Sequence, residues 1–150
     1  MFSFSRVHEN AKLPIKGSPG SAGYDLYSAE SSTLGPGKRK LICTGLKLES
    51  CQSDMYLRIA PRSSLAVKGI DVGAGVVDCD YVGKLKILII NASDTDYEVK
   101  AGDRIAQMIP TLIKENSFCF IIGEENSTNS EFLVEKRGEG GFGSTGLNSA

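Results

Sequence analysis

Short apolar or alternating stretches recur between turn residues along the chain: Arg39 to Thr44, Met55 to Ala60, Lys84 to Asn91, Arg104 to Leu112 and Phe118 to Ile122. Successive side chains of a strand point to opposite faces, so each stretch predicts a strand with at least one buried face. Gly35-Pro36-Gly37, Asn91 to Asp96 and Ala101-Gly102-Asp103 separate apolar runs. These residues take positive φ or form Asx turns, and they predict hairpins. Helical spacing is confined to Ser63 to Lys68, one or two turns with Ser63 or Ser64 as N-cap. Without helices between the strands a βαβ sheet is excluded, and the pattern predicts an all-β barrel or sandwich.

After Ile122 the pattern stops. Gly123 to Ser130 is polar and turn-rich, and only Phe132, Leu133 and Val134 return briefly to apolar character. The division is therefore a strand-rich domain over residues 1–122 and a linker with a glycine-rich arm over 123–150. With 150 residues, 41% of them hydrophobic, the whole fits one domain with an ordinary core.

Composition narrows the function further. A formal net charge of -1 and the lack of a basic run argue against nonspecific nucleic-acid binding, which needs a clustered positive footprint. Met1 to Asn10 lacks the cationic start and apolar stretch of a signal peptide, and no apolar run is long enough for a membrane span. The expectation is a soluble protein of the cytoplasm, the nucleus or both, without nucleic-acid or membrane partners. Cys43, Cys51, Cys79 and Cys119 form no CxxC pair, so they read as reduced thiols.

Three segments carry candidate chemistry. In RGEGGFGSTG, from Arg137 to Gly146, glycines free backbone N–H groups to converge on an anion. Arg137, Ser144 and Thr145 add a cation and two hydroxyls suited to phosphate oxygens, and Phe142 suits a base. A Walker loop does not fit, since Ser144 stands where its lysine would be. A solvated Gly/Ser tail is the plain alternative. In PRSSLA, Arg62, Ser63 and Ser64 sit at a helix start that attracts phosphate, or simply at a short helix with a surface ion pair. In GVVDCDYVG, from Gly75 to Gly83, two carboxylates and a tyrosine gather in a hairpin-like turn. With His8 as the single histidine, general-base work would fall to Asp78 or Asp80. GDRIAQ, from Gly102 to Gln107, reads as a turn entering a strand.

Five segments in this order, AGYDLYSA, PRSSLA, GVVDCDYVG, GDRIAQ and RGEGGFGSTG, resemble the five motifs of the trimeric all-β dUTP pyrophosphatases, the dUTPases. The resemblance spans nearly the whole chain. It implies a distorted, jelly-roll-like β-barrel with one short helix and a flexible C-terminal arm, assembled as a homotrimer. It implies hydrolysis of dUTP to dUMP and pyrophosphate, with water activated by Asp78 attacking the α-phosphorus. Mg²⁺ would be held mainly by the substrate's phosphates, with Asp25 touching it through water. By the family pattern Arg62, Ser63 and Ser64 face the α and β phosphates, and Gln107 lies near the phosphates and the attacking water. Arg137, Gly143, Ser144 and Thr145 hold the γ-phosphate, Phe142 covers the uracil, and Tyr81 packs under the deoxyribose. Backbone groups between Gly75 and Lys86, Val77 among them, would read the uracil. Each active site would collect motifs from different subunits.

The chain departs from the family pattern at Ser64, where glycine is commoner, at Val82, where a basic or polar residue is common, and at Lys86, where glycine often lies beside uracil. PRSSLA is also similar to a motif of the deoxycytidine triphosphate deaminases. Those enzymes need a glutamate near Leu88, and Lys84 to Asn91 contains no acid. A noncatalytic trimer is the third reading, and the presence of Asp78, Tyr81, Gln107, Arg137 and Phe142 argues against it.

Overall fold

Leu85, Ile87 and Ile89 are buried while Lys84 and Lys86 are exposed, so the alternation from Lys84 to Asn91 is that of a strand with one face in the core. The structure, a computed structural model, describes residues 2–113. These form the strands β1 (Ser3–Arg6), β2 (Ile15–Lys16), β3 (Tyr24–Tyr27), β4 (Ser32–Leu34), β5 (Arg39–Ser50) and β6 (Met55–Ala60), then the helix α1 (Ser63–Ala66). The strands β7 (Ile70–Gly73), β8 (Val76–Val77), β9 (Lys84–Asn91), β10 (Tyr97–Val99) and β11 (Arg104–Leu112) complete them. The strand expected from Phe118 to Ile122 and the arm lie outside the described residues.

The strands form a four-stranded sheet in the order β1-β5-β9-β7, a five-stranded sheet in the order β2-β3-β11-β6-β8, and the pair β10-β4. Leu46, Leu48, Leu85, Ile87 and Ile89 of the first join Leu26, Leu57, Ile59, Ile105 and Met108 of the second in one core, with Leu34 and Val99 from the pair. This is the all-β, barrel-like architecture that the alternation predicts.

The expected hairpins are not found. Each of the three turn segments joins strands of different sheets: 35–37 connects β4 to β5, 91–96 connects β9 to β10, and 101–103 connects β10 to β11. Among the described strands only β2 and β3 are both sequence neighbours and partners. Turn residues fix where the chain reverses, whereas long-range burial selects the partner. Asn91 shows how such a corner is held. Fully buried, it donates its amide to the carbonyls of Leu34 and Thr95, both at 2.8 Å. Buried amides without partners cost free energy, so the side chain ties the corner to β4.

Candidate active site

β11 pairs with β3 on one side and β6 on the other, and this register assembles the first cleft. Gln107 lies opposite Asp25 of β3 and Ala60 of β6, and the chain leaving β6 carries Pro61 and Arg62 past the same point. The Gln107 amide donates to the Pro61 carbonyl at 2.9 Å. Gly23 makes room for it, since a Cβ there would lie 2.7 Å from Gln107 Oε1. Asp25, buried at 9% exposure, accepts from Arg62 Nε on Oδ1 at 2.9 Å and from Arg104 Nη1 on Oδ2 at 3.2 Å. Removing this carboxylate would leave two guanidinium groups facing each other. The charge of Arg62 also reaches Tyr97, whose phenol is raised by burial first and by Asp103 second, with Arg62 opposing.

A polar cleft of about 190 Å³ results, lined by Asp25, Arg62, Ser63, Ser64, Arg104 and Gln107 together with Gly17, Ser21 and Gly23. With two guanidiniums against one carboxylate, hydroxyls and an amide, it suits phosphate oxygens. The structure thus gathers Asp25, Arg62, Ser63, Ser64 and Gln107 as the five sequence-derived residues of one place. One detail is corrected. Neither serine caps the helix: Arg62 is the N-cap, with φ -81 and ψ 140, and its carbonyl accepts from Leu65 and Ala66. The helix is a single turn, so Ser63 and Ser64 already lie inside it and line the cleft instead.

The second cleft, about 40 Å³, is lined by Ile59, Val72 to Val77, Lys86, Ile87 and Leu88. It contains Gly75, Val77 and Lys86. Its wall is the turn between β7 and β8, where Ala74 has φ 60 and Gly75 has φ 92. The Gly75 carbonyl accepts from Ile59 N–H at 2.7 Å, and a Cβ on Gly75 would lie 2.5 Å from the Ile59 carbonyl oxygen. Glycine alone fits there. Lys86 is exposed between buried Leu85 and Ile87, so its side chain leaves the core face and stands at the cleft's rim.

The segment from Gly75 to Lys86 is not the expected hairpin, because β8 pairs with β6 and β9 with β5 and β7. Two residues of β8 suffice only to cross from one sheet to the other. Beyond it the Tyr81 N–H donates to the Asp78 carbonyl at 3.2 Å, and the Tyr81 hydroxyl donates to the Lys84 carbonyl at 2.8 Å. Asp78 and Tyr81, both half-buried, line neither cleft, and among the described residues the two clefts share no lining residue. Arg137, Phe142, Gly143, Ser144 and Thr145 fall outside the described residues.

Sequence reasoning passed over Arg104. Residues 104 and 107 have opposite parity and would face opposite sides of a regular strand. Pairing shifts between Arg104↔Tyr27 and Ala106↔Leu26, and this irregularity brings both side chains to one cleft. Only the charge of Arg104 beside Gly102-Asp103 hinted at it.

A family model described as dUTPase matches residues 9–146. The chain is an enzyme of the dUTPase family. The deoxyuridine 5'-triphosphate nucleotidohydrolase of Yarrowia lipolytica is 46% identical over 143 residues, covering 95% of this chain and 87% of that protein. The protein of the same name from vaccinia virus, strain Copenhagen, is 45% identical over 144 residues, covering 96% and 92%. Among solved dUTPase structures, one from phage phi11 of S. aureus, described with a structural Mg(II) ion, has a TM-score of 0.73 at 23% identity, covering 85% of this chain and 99% of that one. Another, from Staphylococcus bacteriophage 80alpha with dUpNHpp, has a TM-score of 0.70 at 24% identity, covering 98% and 99%. At such identities the structural likeness shows the dUTPase fold. Among the described residues no helix is long and apolar enough to cross a membrane.

Proposed function

We propose that this dUTPase-family enzyme hydrolyses dUTP to dUMP and pyrophosphate, limiting uracil incorporation into DNA and supplying dUMP for dTMP synthesis, in the cytoplasm, the nucleus or both. The observation that carries the reading is the convergence of Arg62, Ser63, Ser64 and Gln107 on one polar cleft, within a chain of this family. Fixed donors around the triphosphate supply charge stabilisation where charge builds up in the transition state. The Asp78 carboxylate takes a proton from the attacking water. A bond forms from the water oxygen to the α-phosphorus, and the bond from that phosphorus to the bridging oxygen breaks. Pyrophosphate leaves with that oxygen. Tyr81 packs under the deoxyribose, leaving no room for a 2′-hydroxyl, and the backbone from Gly75 to Lys86 reads the uracil, which excludes thymine by its methyl group.

Among the described residues no three His, Cys, Asp or Glu side chains cluster as a metal cage. Among the described residues Asp25 is the only carboxylate lining the phosphate cleft, and both its oxygens already carry guanidinium groups. This donor set fits an Mg²⁺ ion that arrives on the triphosphate and keeps its waters, one of them in contact with Asp25. Bound there, Mg²⁺ would neutralise phosphate charge.

Following the family resemblance, the complete site is read as shared between the subunits of a homotrimer. One subunit supplies the phosphate cleft and another supplies Asp78, Tyr81 and the base-side cleft. The arm closes over them with Arg137, Gly143, Ser144 and Thr145 on the γ-phosphate and Phe142 on the base. The test is a panel of dUTP, dCTP, dTTP and UTP with Mg²⁺, following pyrophosphate and ammonia. Pyrophosphate from dUTP alone is expected; ammonia from dCTP, or no pyrophosphate from dUTP, overturns the proposal.

A further inference from the structure

Cys51 and Cys79 stand far apart in the chain, and the sheets bring them to one level. Cys51 follows the last residue of β5, where the turn into β6 begins. Its thiol donates to the Gln52 carbonyl at 3.3 Å, with the Met55 carbonyl as a second acceptor at 3.5 Å. Cys79 follows β8, which pairs with β6 as Leu57↔Val77 and Arg58↔Val76, so two residues beyond Val77 the antiparallel register carries the chain to Met55. From the other side, the Leu48 N–H donates to the Gly83 carbonyl at 2.9 Å, which lays the chain after Cys79 along the end of β5. Both cysteines are unbridged and half-buried. Their closeness is felt electrostatically, since the Cys51 thiol is raised by burial first and by Cys79 second. Cys43 is separate, further up β5 and opposite Lys86, where its sulfur accepts from the Gly45 N–H at 3.4 Å.

We propose that Cys51 and Cys79 form a reversible disulfide, and that this bond ties the turn carrying Asp78 to the β5–β6 connection and so slows hydrolysis under oxidising conditions. The regulatory part rests on the reading of Asp78 as the base. Cys79 stands between Asp78 and Asp80, in a turn closed by the Tyr81 N–H on the Asp78 carbonyl at 3.2 Å. A covalent tether at Cys79 therefore pulls directly on the backbone of Asp78, and a small displacement of a base costs a large part of its rate. The oxidant is a small-molecule disulfide of the glutathione class. Burial and two carbonyls keep Cys51 protonated. The Cys79 thiolate thus attacks first, forming a mixed disulfide and releasing one small thiolate. The Cys51 thiolate then attacks Cys79 Sγ and releases the second. Two protein thiols are oxidised, the small disulfide is reduced to two thiols, and the protons lost by the cysteines end on them.

The experiment treats the full chain with oxidised glutathione and reads linkage and turnover separately. Peptide mapping is expected to join the peptides of Cys51 and Cys79, and the chain is expected to run as a monomer on a non-reducing denaturing gel. Turnover of dUTP should fall in proportion to the linked fraction, by roughly 10²-fold when linkage is complete, and return with dithiothreitol. Cys51→Ser and, as a second replacement, Cys51→Ala are expected to keep wild-type turnover before treatment and to form no bond within the chain after it. Linkage of other cysteines or between chains, or a Cys79 that keeps glutathione and never joins Cys51, overturns the pairing. A linked chain with undiminished turnover overturns the switch. Linkage is read without substrate, so a reduced chain that leaves dUTP intact refutes the proposed function, while the bond stands or falls on the mapping alone.

Discussion

The two clefts that hold the predicted site residues are built by opposite means. The phosphate cleft is made of long charged side chains brought from β3, β11 and the chain after β6, and it is cross-linked by Asp25. The cleft proposed for the base is lined by apolar residues and Lys86, and it is shaped by a turn with two consecutive positive-φ residues. Charge can be aimed through a flexible side chain, so the first cleft depends on ion pairs that orient it. The proposed function has a flat heterocycle read by fixed backbone groups there, so the second depends on a backbone path that few sequences can follow. The first should therefore fail gradually when side chains change, and the second abruptly when the backbone changes.

The sharpest test concerns the proposed base, Asp78, which lines neither cleft. Asp78→Asn keeps the size of the side chain and removes the base; turnover should fall by about 10²–10⁴-fold while dUTP binding persists. Steady-state kinetics alongside equilibrium dUTP binding checks it, and retained turnover would move the role to Asp80. Next comes the backbone of the base-side cleft. Gly75→Ala imposes φ 92 on a residue with a side chain and sets its Cβ 2.5 Å from the Ile59 carbonyl oxygen. A loss of about 2–4 kcal/mol of stability is expected in denaturant unfolding, and a loss below measurement error would show that the turn is not constrained.

In the phosphate cleft the parallel change is milder. Gly23→Ala meets Gln107 Oε1 at 2.7 Å, the end of a movable side chain. It should swing the amide away from Pro61 and lower kcat/KM by roughly tenfold with about 1 kcal/mol of lost stability. Unaltered kinetics would remove Gln107 from the site. The smallest effect lies outside both clefts. Cys51 has its thiol raised by burial first and by the nearby Cys79 second. Raising a thiol's pKa depletes thiolate at neutral pH, so alkylation of Cys51 should be slow there and accelerate as pH rises past the usual thiol value of 9.0. Fast modification at neutral pH contradicts that environment.

The contrast also explains what could be read before the structure. Strand alternation located β6, β9 and β11 because burial on one face leaves a period of two in the sequence. Motif chemistry located Arg62, Ser63 and Ser64 because charged and hydroxyl side chains announce their use, and the family resemblance added Asp25 and Gln107. Partner choice was not legible: the turns at 35–37, 91–96 and 101–103 switch between sheets, and nothing local records which distant strand is waiting. Arg104 was hidden by strand parity, which the register shift beside Ala106 breaks. The base-side cleft was legible only through the family resemblance, since backbone recognition leaves few marks beyond Gly75 and its neighbours.

In the proposed function a phosphate cleft from one subunit works with Asp78 from another. Arg62→Ala and Asp78→Asn chains, each inactive or nearly so as its own assembly, can be unfolded together and refolded as mixed assemblies, and dUTP hydrolysis measured against equal amounts of each alone. Mixed assemblies contain sites in which both residues are wild type, so activity well above the sum of the parents is predicted. Mixed assemblies that form and stay as inactive as their parents would contradict the account.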